Sequence, residues 1–332
     1  MAKVDLSSVV TPESVTGVLL PYVNQTAYEK GAIISSGIAT TDNALEFPST
    51  HKVRGGKVIS VPMYKRLTAG NYDDEVLDDA SALTVQGIGT GYSTAAIHAR
   101  GNAWSVNDLA GYVAGSDPLV AIGDMVNEYW ASKAQKVLLS TLKGVFDSTS
   151  MSGSLNDISG KSGDAGKVSS GAMIDTIYAL GDKQEGLTAV MMNSSVMKEL
   201  VKQNLISTVR DAEGKILYST YLEKRVIVDD ALEPISLSDG KKAYELYFFG
   251  NGAFSYTIDT ENTAMEMDRD ILAGDTVMAM RRYFVMHPRG MSWIGTAAGF
   301  TPTNTELEVG TNWDLADNRK NVAITKLVAR IE

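Results

Sequence analysis

The sequence has no cysteine, eight prolines and only three histidines in 332 residues. The first absence removes disulfide frameworks, thiolate zinc sites, iron–sulfur clusters and cysteine nucleophiles together, and it fits a reducing cytosol. The histidines His51, His98 and His287 lack the i, i+4 partner and the nearby carboxylates of a helical metal site, so each is expected to be a solvated or core side chain. No stretch approaches the roughly 18 apolar residues that span a bilayer. The opening Met1 to Leu6 lacks the apolar core of a secretion signal, so neither membrane insertion nor secretion is expected. Positive charge is also short. Thirty Lys and Arg against forty Asp and Glu leave a net charge of -10, which disfavours backbone-driven binding to DNA or anionic lipid.

What is present is the makeup of an ordered globular protein, with 44% hydrophobic and 21% charged residues. Surface scaling lets a chain of this mass bury about three quarters of its unfolded surface, and the length permits two domains. Short catalytic motifs fail on inspection. Gly87-Ile-Gly-Thr-Gly91 would place the last glycine of a dinucleotide loop on Tyr92, and no helix start follows, so it reads as a turn before a strand. Gly163-Asp-Ala-Gly-Lys167 lacks the first glycine of a phosphate loop, where Lys161 stands, and has Val168 where Ser or Thr is required. No Gly-x-Ser-x-Gly elbow supports hydrolase chemistry. The sequons at Asn24 and Asn193 read as chance.

Along the chain, Thr11-Pro12-Glu13 opens a helix that Pro21 kinks or stops, which suggests an N-terminal arm. From Gly31 to Arg100 short alternating runs at Lys57 to Pro62, Leu83 to Gly87 and Tyr92 to Ala99 predict hairpin strands. Between them, Leu67 to Ala82 is polar and acidic, too poor in large apolar residues to bury itself, and forms a long excursion from the body. Ser116-Asp117-Pro118 then starts a helix whose apolar positions, from Leu119 through Val126, Trp130 and Leu138 to Leu142, recur at helical spacing. Running to about Phe146, it is on the order of 45 Å long.

Ser148 to Gly171, in which Ser and Gly supply 13 of 24 residues, is expected to be a flexible loop. A mixed region follows. It comprises helices at Ala172 to Asp182 and Ser194 to Asn204 and strands at Leu187 to Met192, Arg225 to Val228 and Tyr244 to Phe249. Thr276 to Met286 reads as a long strand, His287 to Gly290 as a turn, and Asn321 to Ile331 as a last strand.

Two charge clusters are candidate intersubunit contacts. The carboxylates Asp73, Asp74, Glu75, Asp78 and Asp79 lack the ligand order of a calcium loop, and a solvated face is the plain reading. The alternative pairs them with Arg54, Lys57, Lys65 and Arg66 of another copy in a salt-sensitive contact. Asp229 and Asp230 point to opposite faces of a strand and suit a strand-end turn. Met265, Met267, Met278, Met280 and Met286 suit adaptable core packing or a subunit contact.

The order of these elements, together with Gly56-Lys-Val-Ile-Ser-Val-Pro62, Trp104 to Pro118, Trp130 to Leu139, Arg225 to Asp230, Tyr247 to Phe254 and Arg282 to Gly290, resembles the major capsid proteins of tailed bacteriophages with the HK97 fold. The resemblance covers about Thr11 to Gly299. It implies an α+β capsid fold with an N-terminal arm (1–54), an extended β-hairpin loop (55–101), a peripheral domain (102–168 and 255–300) carrying a spine helix at about 117–146, an axial domain (169–254) and a C-terminal strand segment (301–332). It further implies a non-enzymatic subunit without cofactor or metal that self-assembles as hexamers and pentamers into an icosahedral shell around DNA. The extended loop would then lie over a neighbouring subunit. A separate scaffold, a portal and a possible decoration protein would be its partners, and assembly would take place in the host bacterial cytoplasm before the virion capsid is complete. An encapsulin-like nanocompartment shell is the alternative within the same fold, and an acidic cytosolic enzyme the alternative outside it.

Overall fold

The computed structural model describes residues 36–40, 58–64, 74–76, 83, 85, 87–107, 118–211, 216–259 and 264–331. The helix expected after Thr11 and the histidine His51 lie outside these residues. In chain order the first elements are β1 (Ala39–Thr40), β2 (Val58–Tyr64), β3 (Thr90–Asn107) and α1 (Pro118–Asp147). The spine helix therefore runs its expected course, 30 residues beginning at the proline that favours a first helical turn. Strand β3 is longer than the alternation at Tyr92 to Ala99 indicated, at 18 residues. Residues 83, 85 and 87, expected in a strand, lie in irregular backbone and are exposed.

The mixed region contributes β4 (Leu155–Asp157), α2 (Ser170–Ile177), β5 (Leu187–Met192), α3 (Ser194–Lys202), β6 (Ser207–Arg210), β7 (Ile216–Tyr221), β8 (Lys224–Val228), β9 (Ile235–Ser236) and β10 (Lys242–Gly250). The remaining elements are β11 (Phe254–Ile258), β12 (Ala264–Asp270), β13 (Asp275–Pro288), β14 (Met291–Trp293), α4 (Asn304–Leu307), β15 (Trp313–Leu315) and β16 (Ile324–Arg330). Helix α2 stops at Ile177, five residues earlier than expected. Tighter 3-10 turns follow to Gly186, with Gly181 at a φ of 62° that other residues adopt only under strain.

Two large sheets carry the fold. In the first, the strand order is β1-β11-β13-β3-β2, and β12 also pairs with β13. Strand β3 changes partner along its length, Thr90 to Ala96 pairing with β2 and Ile97 to Asn107 with β13. The second has the order β4-β16-β10-β5-β8-β7-β6, with β9 on β10. Its members come from 155–157, 187–250 and 324–330, so it crosses the boundaries expected at 168 and 300 and takes its last strand in between β4 and β10.

Alternation along β10 explains why this sheet is buried on both faces. Tyr247 and Phe249 join Leu138, Leu142, Val145 and Phe146 of α1 on one side. Leu246 and Phe248 meet Met173 and Ile177 of α2 and Val196 and Leu200 of α3 on the other. Nearer the middle of α1 the packing partner is the first sheet instead. There Val126 and Trp130 lie among Met265, Met278 and Met280, and the Trp130 indole N–H donates to the Met280 sulfur at 3.0 Å. The methionine-rich stretch thus fills core. Beside it the Arg282 guanidinium is buried 6.0 Å from the centre of the Trp130 ring, a cation against an aromatic face.

The Ser- and Gly-rich segment 148–171 departs most from its expected loop. Ser148, Met151, Ser154, Ile158 and Val168 are buried, and Leu155 to Asp157 run parallel to β16. Small residues are needed there for close approach: a Cβ at Gly153 would stand 2.8 Å from the Arg319 guanidinium carbon, and one at Gly166 2.5 Å from the Lys161 carbonyl oxygen. A composition that resembles a linker is here a packing requirement.

Helix α1 contains a similar contact. A Cβ at Gly144 would lie 1.9 Å from the backbone oxygen of Leu307 and 2.8 Å from Trp313 Nε1, whereas Gly171 in α2 has nothing within 4 Å. We expect Gly144→Ala to lower unfolding free energy by roughly 1–3 kcal/mol or more. Gly171→Ala should leave it unchanged or slightly raised. Urea melts of the two variants check this, and equal midpoints would show that α4 does not press on the spine.

Candidate assembly interface

Of the candidate contact residues, Arg54, Lys57, Lys65, Arg66, Asp73, Asp78 and Asp79 lie outside the described residues. Asp74 and Glu75 are described, in irregular backbone and exposed. The excursion that carries them exposes apolar side chains as well. Val76 is 94% and Val85 96% exposed, and Leu83, Ile88 and Tyr92 are exposed too. Full burial of a valine or leucine stabilises by about 1.5–3 kcal/mol, so these side chains leave a large favourable term unrealised in a single chain.

Where β3 enters the body, the surroundings become dense. Ala95 and Ile97 pack with Ile59 and Val285 on one face of the sheet, while Ala96 faces the α1 core. Strand β14 fastens the same stretch from the side. Ser93 Oγ donates to the Met291 carbonyl at 3.0 Å, and the Ser292 hydroxyl donates to the Tyr92 carbonyl at 3.2 Å. The excursion therefore has a fixed root, and its described residues 74–76, 83, 85, 87 and 88 beyond it are exposed. Its sequence signal was the scarcity of large apolar residues in 67–82; the exposure of the apolar Leu83, Val85, Ile88 and Tyr92 is a second signal that composition did not give.

Among the described residues no group of His, Asp or Glu side chains is arranged to hold a metal ion, and no helix is long and apolar enough to cross a membrane. Ser93 Oγ and His287 Nε2 are 3.5 Å apart, but both atoms also engage the Met291 carbonyl, and His287 Nδ1 has no hydrogen-bond partner where a triad acid would stand. Asp229 and Asp230 form the expected strand-end turn, accepting from the backbone N–H groups of Ala231 and Ser194. Asn193 caps α3 through the Ser195 N–H and donates to the Leu232 carbonyl.

A family model described as Gp13-like, major capsid protein 13-like, matches residues 120–323. The major capsid protein of Bacillus phage SPP1 is 38% identical over 333 residues, which cover the whole of both chains. The chain belongs to this family of phage major capsid proteins. Among solved structures, the capsid of Ralstonia phage GP4 is similar with a TM-score of 0.56 at 8% identity, covering 89% of this chain and 87% of that one. The cyanophage Pam1 capsid asymmetric unit gives 0.51 at 8% identity over 84% and 86%. The capsid subunit thus has the expected α+β, HK97-like fold. It is a structural, shell-forming head protein, many copies of which make the virion capsid.

The two described histidines of the subunit are core residues. His98 packs beside Phe284 with ring centres 5.2 Å apart, and burial, helped by the nearby Arg100 charge, lowers its pKa to about 3. Burial lowers His287 to about 4. Both rings are therefore neutral in the fold but protonate near pH 6.5 once unfolded. Their contribution to stability is complete above about pH 6.5 and is lost as pH falls through 6.5 toward 4 and then 3. We expect urea midpoints to decline over that window with up to about 1.4 kcal/mol per pH unit from each histidine. The decline should be shallower in His98→Gln, and a wild-type midpoint that stays flat from pH 7 to pH 5 would contradict the burial of both rings.

Proposed function

We propose that this capsid subunit closes an icosahedral shell of hexamers and pentamers around DNA, each copy completing its burial by laying the excursion 55–101 over a neighbour. The observation that carries this reading is the combination of a firmly rooted β3 with exposed Val76, Leu83, Val85 and Ile88 beyond the root. A chain that leaves such side chains in water gains from covering them, and in a shell every copy offers the same cover by symmetry. The candidate pairing of Asp73, Asp74, Glu75, Asp78 and Asp79 with Arg54, Lys57, Lys65 and Arg66 of another copy adds a salt-sensitive component to that contact.

In this reading α1 with the first sheet is the peripheral domain, and the second sheet with α2 and α3 is the axial one. The net charge of -10 suits a container whose wall does not grip phosphates, since counterion release would otherwise hold the genome on the wall. A separate scaffold and a portal are the partners proposed for this function, with a decoration protein as a possible addition, and the host cytoplasm is the proposed place of assembly. The membership in a phage capsid family favours this reading over a cargo-loaded nanocompartment.

Deleting Leu67 to Ala82 is expected to leave a cooperatively folding subunit that no longer forms shells. Circular dichroism melts report the first property, and sedimentation with negative-stain imaging the second. Loss of the melt itself would place the excursion in the subunit's own core and overturn the overlap.

A further inference from the structure

The turn expected at His287 to Gly290 falls at Arg289 and Gly290, with Gly290 at a φ of 86° that favours glycine, and it leads β13 directly into β14. Strand β13 pairs with β3 no farther than Ile97. From Ala96 to Thr90, β3 keeps β2 on one edge and has lost β13 from the other. That edge is closed by a side chain. The Ser292 hydroxyl of β14 accepts from the Thr94 N–H at 3.3 Å and donates to the Tyr92 carbonyl at 3.2 Å. A carbonyl and an N–H two residues apart on one edge are the groups that a neighbouring strand would pair, and a single hydroxyl, donor and acceptor at once, takes the place of both.

Side chains of β3 reach back to the same strand. Thr94 Oγ1 donates to the Trp293 carbonyl at 2.5 Å, and Ser93 Oγ to the Met291 carbonyl at 3.0 Å. His287 Nε2 donates to that second carbonyl as well, at 2.9 Å. Met291, Ser292 and Trp293 are all buried, and β14 is itself held by β15 through three residue pairs. The clamp is therefore anchored in the body of the subunit. It grips β3 beyond the point where β13 lets go, whereas Ile59, Ala95 and Ile97 pack at that point.

The seven pairs of β2 with β3, from Ala96 out to Thr90, make a ribbon. Its length is roughly 20 Å, so a tilt of about 10° at its root would move its far end by about 4 Å, close to the ~4.8 Å spacing of strands in a sheet. Contacts made farther out would then miss by about one strand. We propose that Ser292, Thr94 and Ser93 are positioning residues that set the direction in which the excursion leaves the subunit, and with it the uniform size of the closed shell. This rests on the shell reading above and names the device that fixes its geometry.

Three variants test it. Ser292→Ala removes the hydroxyl that stands in for a strand, Thr94→Val keeps the side-chain shape and loses its hydroxyl, and Thr94→Ser keeps the hydroxyl. All three should retain a cooperative melt, because the apolar cores beside the clamp are untouched. In dissociated subunits, hydrogen exchange at the Thr94 amide should quicken on the order of tenfold in Ser292→Ala and stay at the unmodified rate in Thr94→Ser. Electron micrographs of assembled particles should show open, tubular or mis-sized products from Ser292→Ala and Thr94→Val, and shells of the unmodified diameter from Thr94→Ser.

Uniform shells from a Ser292→Ala chain whose Thr94 amide has been released overturn the positioning role and leave the shell reading intact. An amide that exchanges no faster shows that Ser292 does not hold the edge, and aberrant particles from Thr94→Ser assign the effect to side-chain volume; either result also overturns the proposal. Should Ser292→Ala fail to fold, Thr94→Val against Thr94→Ser decides, and equal particle distributions from the two count against it. An unmodified chain that forms no shells overturns both this role and the shell reading.

Discussion

One helix must serve two sheets. Within the 30 residues of α1, Val126 and Trp130 are buried on the methionines of β12 and β13, and the side chains from Val137 to Phe146 in the core shared by β10, β5 and β11. Neither sheet covers that face by itself, and each would present an apolar surface to water without the helix. The contacts that hold the helix are correspondingly specific. Gly144 lets the chain at Leu307 approach the helix backbone, the Trp313 indole donates to the Leu307 carbonyl at 2.8 Å, and Ser148 Oγ donates to the Trp313 carbonyl at 3.0 Å. The carboxyl-terminal segment is thus bolted to the end of the spine, and β16 proceeds from there into the second sheet between β4 and β10.

Within that sheet the polar exceptions are paired. Glu245 accepts from Lys326 at 2.7 Å and from the Tyr247 hydroxyl at 2.8 Å, and the Lys326 ammonium lies over the Tyr247 and Phe146 rings at 5.3 and 5.8 Å. Burial, and then the Glu245 charge, raise the Tyr247 hydroxyl well above its ordinary pKa, which keeps it a donor. A pair of this kind adds little net stability over an apolar substitute, but removing one partner strands a charge at a cost of about 3–5 kcal/mol. It fixes the register of β10 against β16 directly beneath α1, where a slip would expose every core residue of β10 to the wrong face.

The sequence made the spine helix legible because its cue was local and redundant: a proline start, an apolar stripe at helical spacing and no further proline before Phe146. The strands at Leu187 and Arg225 were legible for the same reason, as compact β-branched and methionine-rich runs. What stayed hidden depended on distant partners. Nothing in Ser148 to Gly171 itself says that Arg319 and Arg330, about 170 residues away, press on its glycines. Nor could alternation alone reveal β11, β12 or β14, which are strands only because β13 and β15 offer them edges. The charged positions of the excursion were found by composition, since a cluster of like charges with few apolar neighbours cannot build a core wherever it folds.

That last point links the fold to assembly. A domain that closed on itself would not keep Val76 and Val85 almost wholly in water, and a chain selected only for solubility would have replaced them with polar residues. Their retention is intelligible when the finished object is the shell rather than the subunit. The subunits repel one another through a net charge of -10 each, yet the same exposed apolar positions recur on every copy. Once two contacts of a subunit are made, the third forms within an already assembled neighbourhood, so its loop closes at a high effective concentration. Individually weak contacts then suffice, and they remain reversible enough for a misplaced subunit to leave before closure traps it.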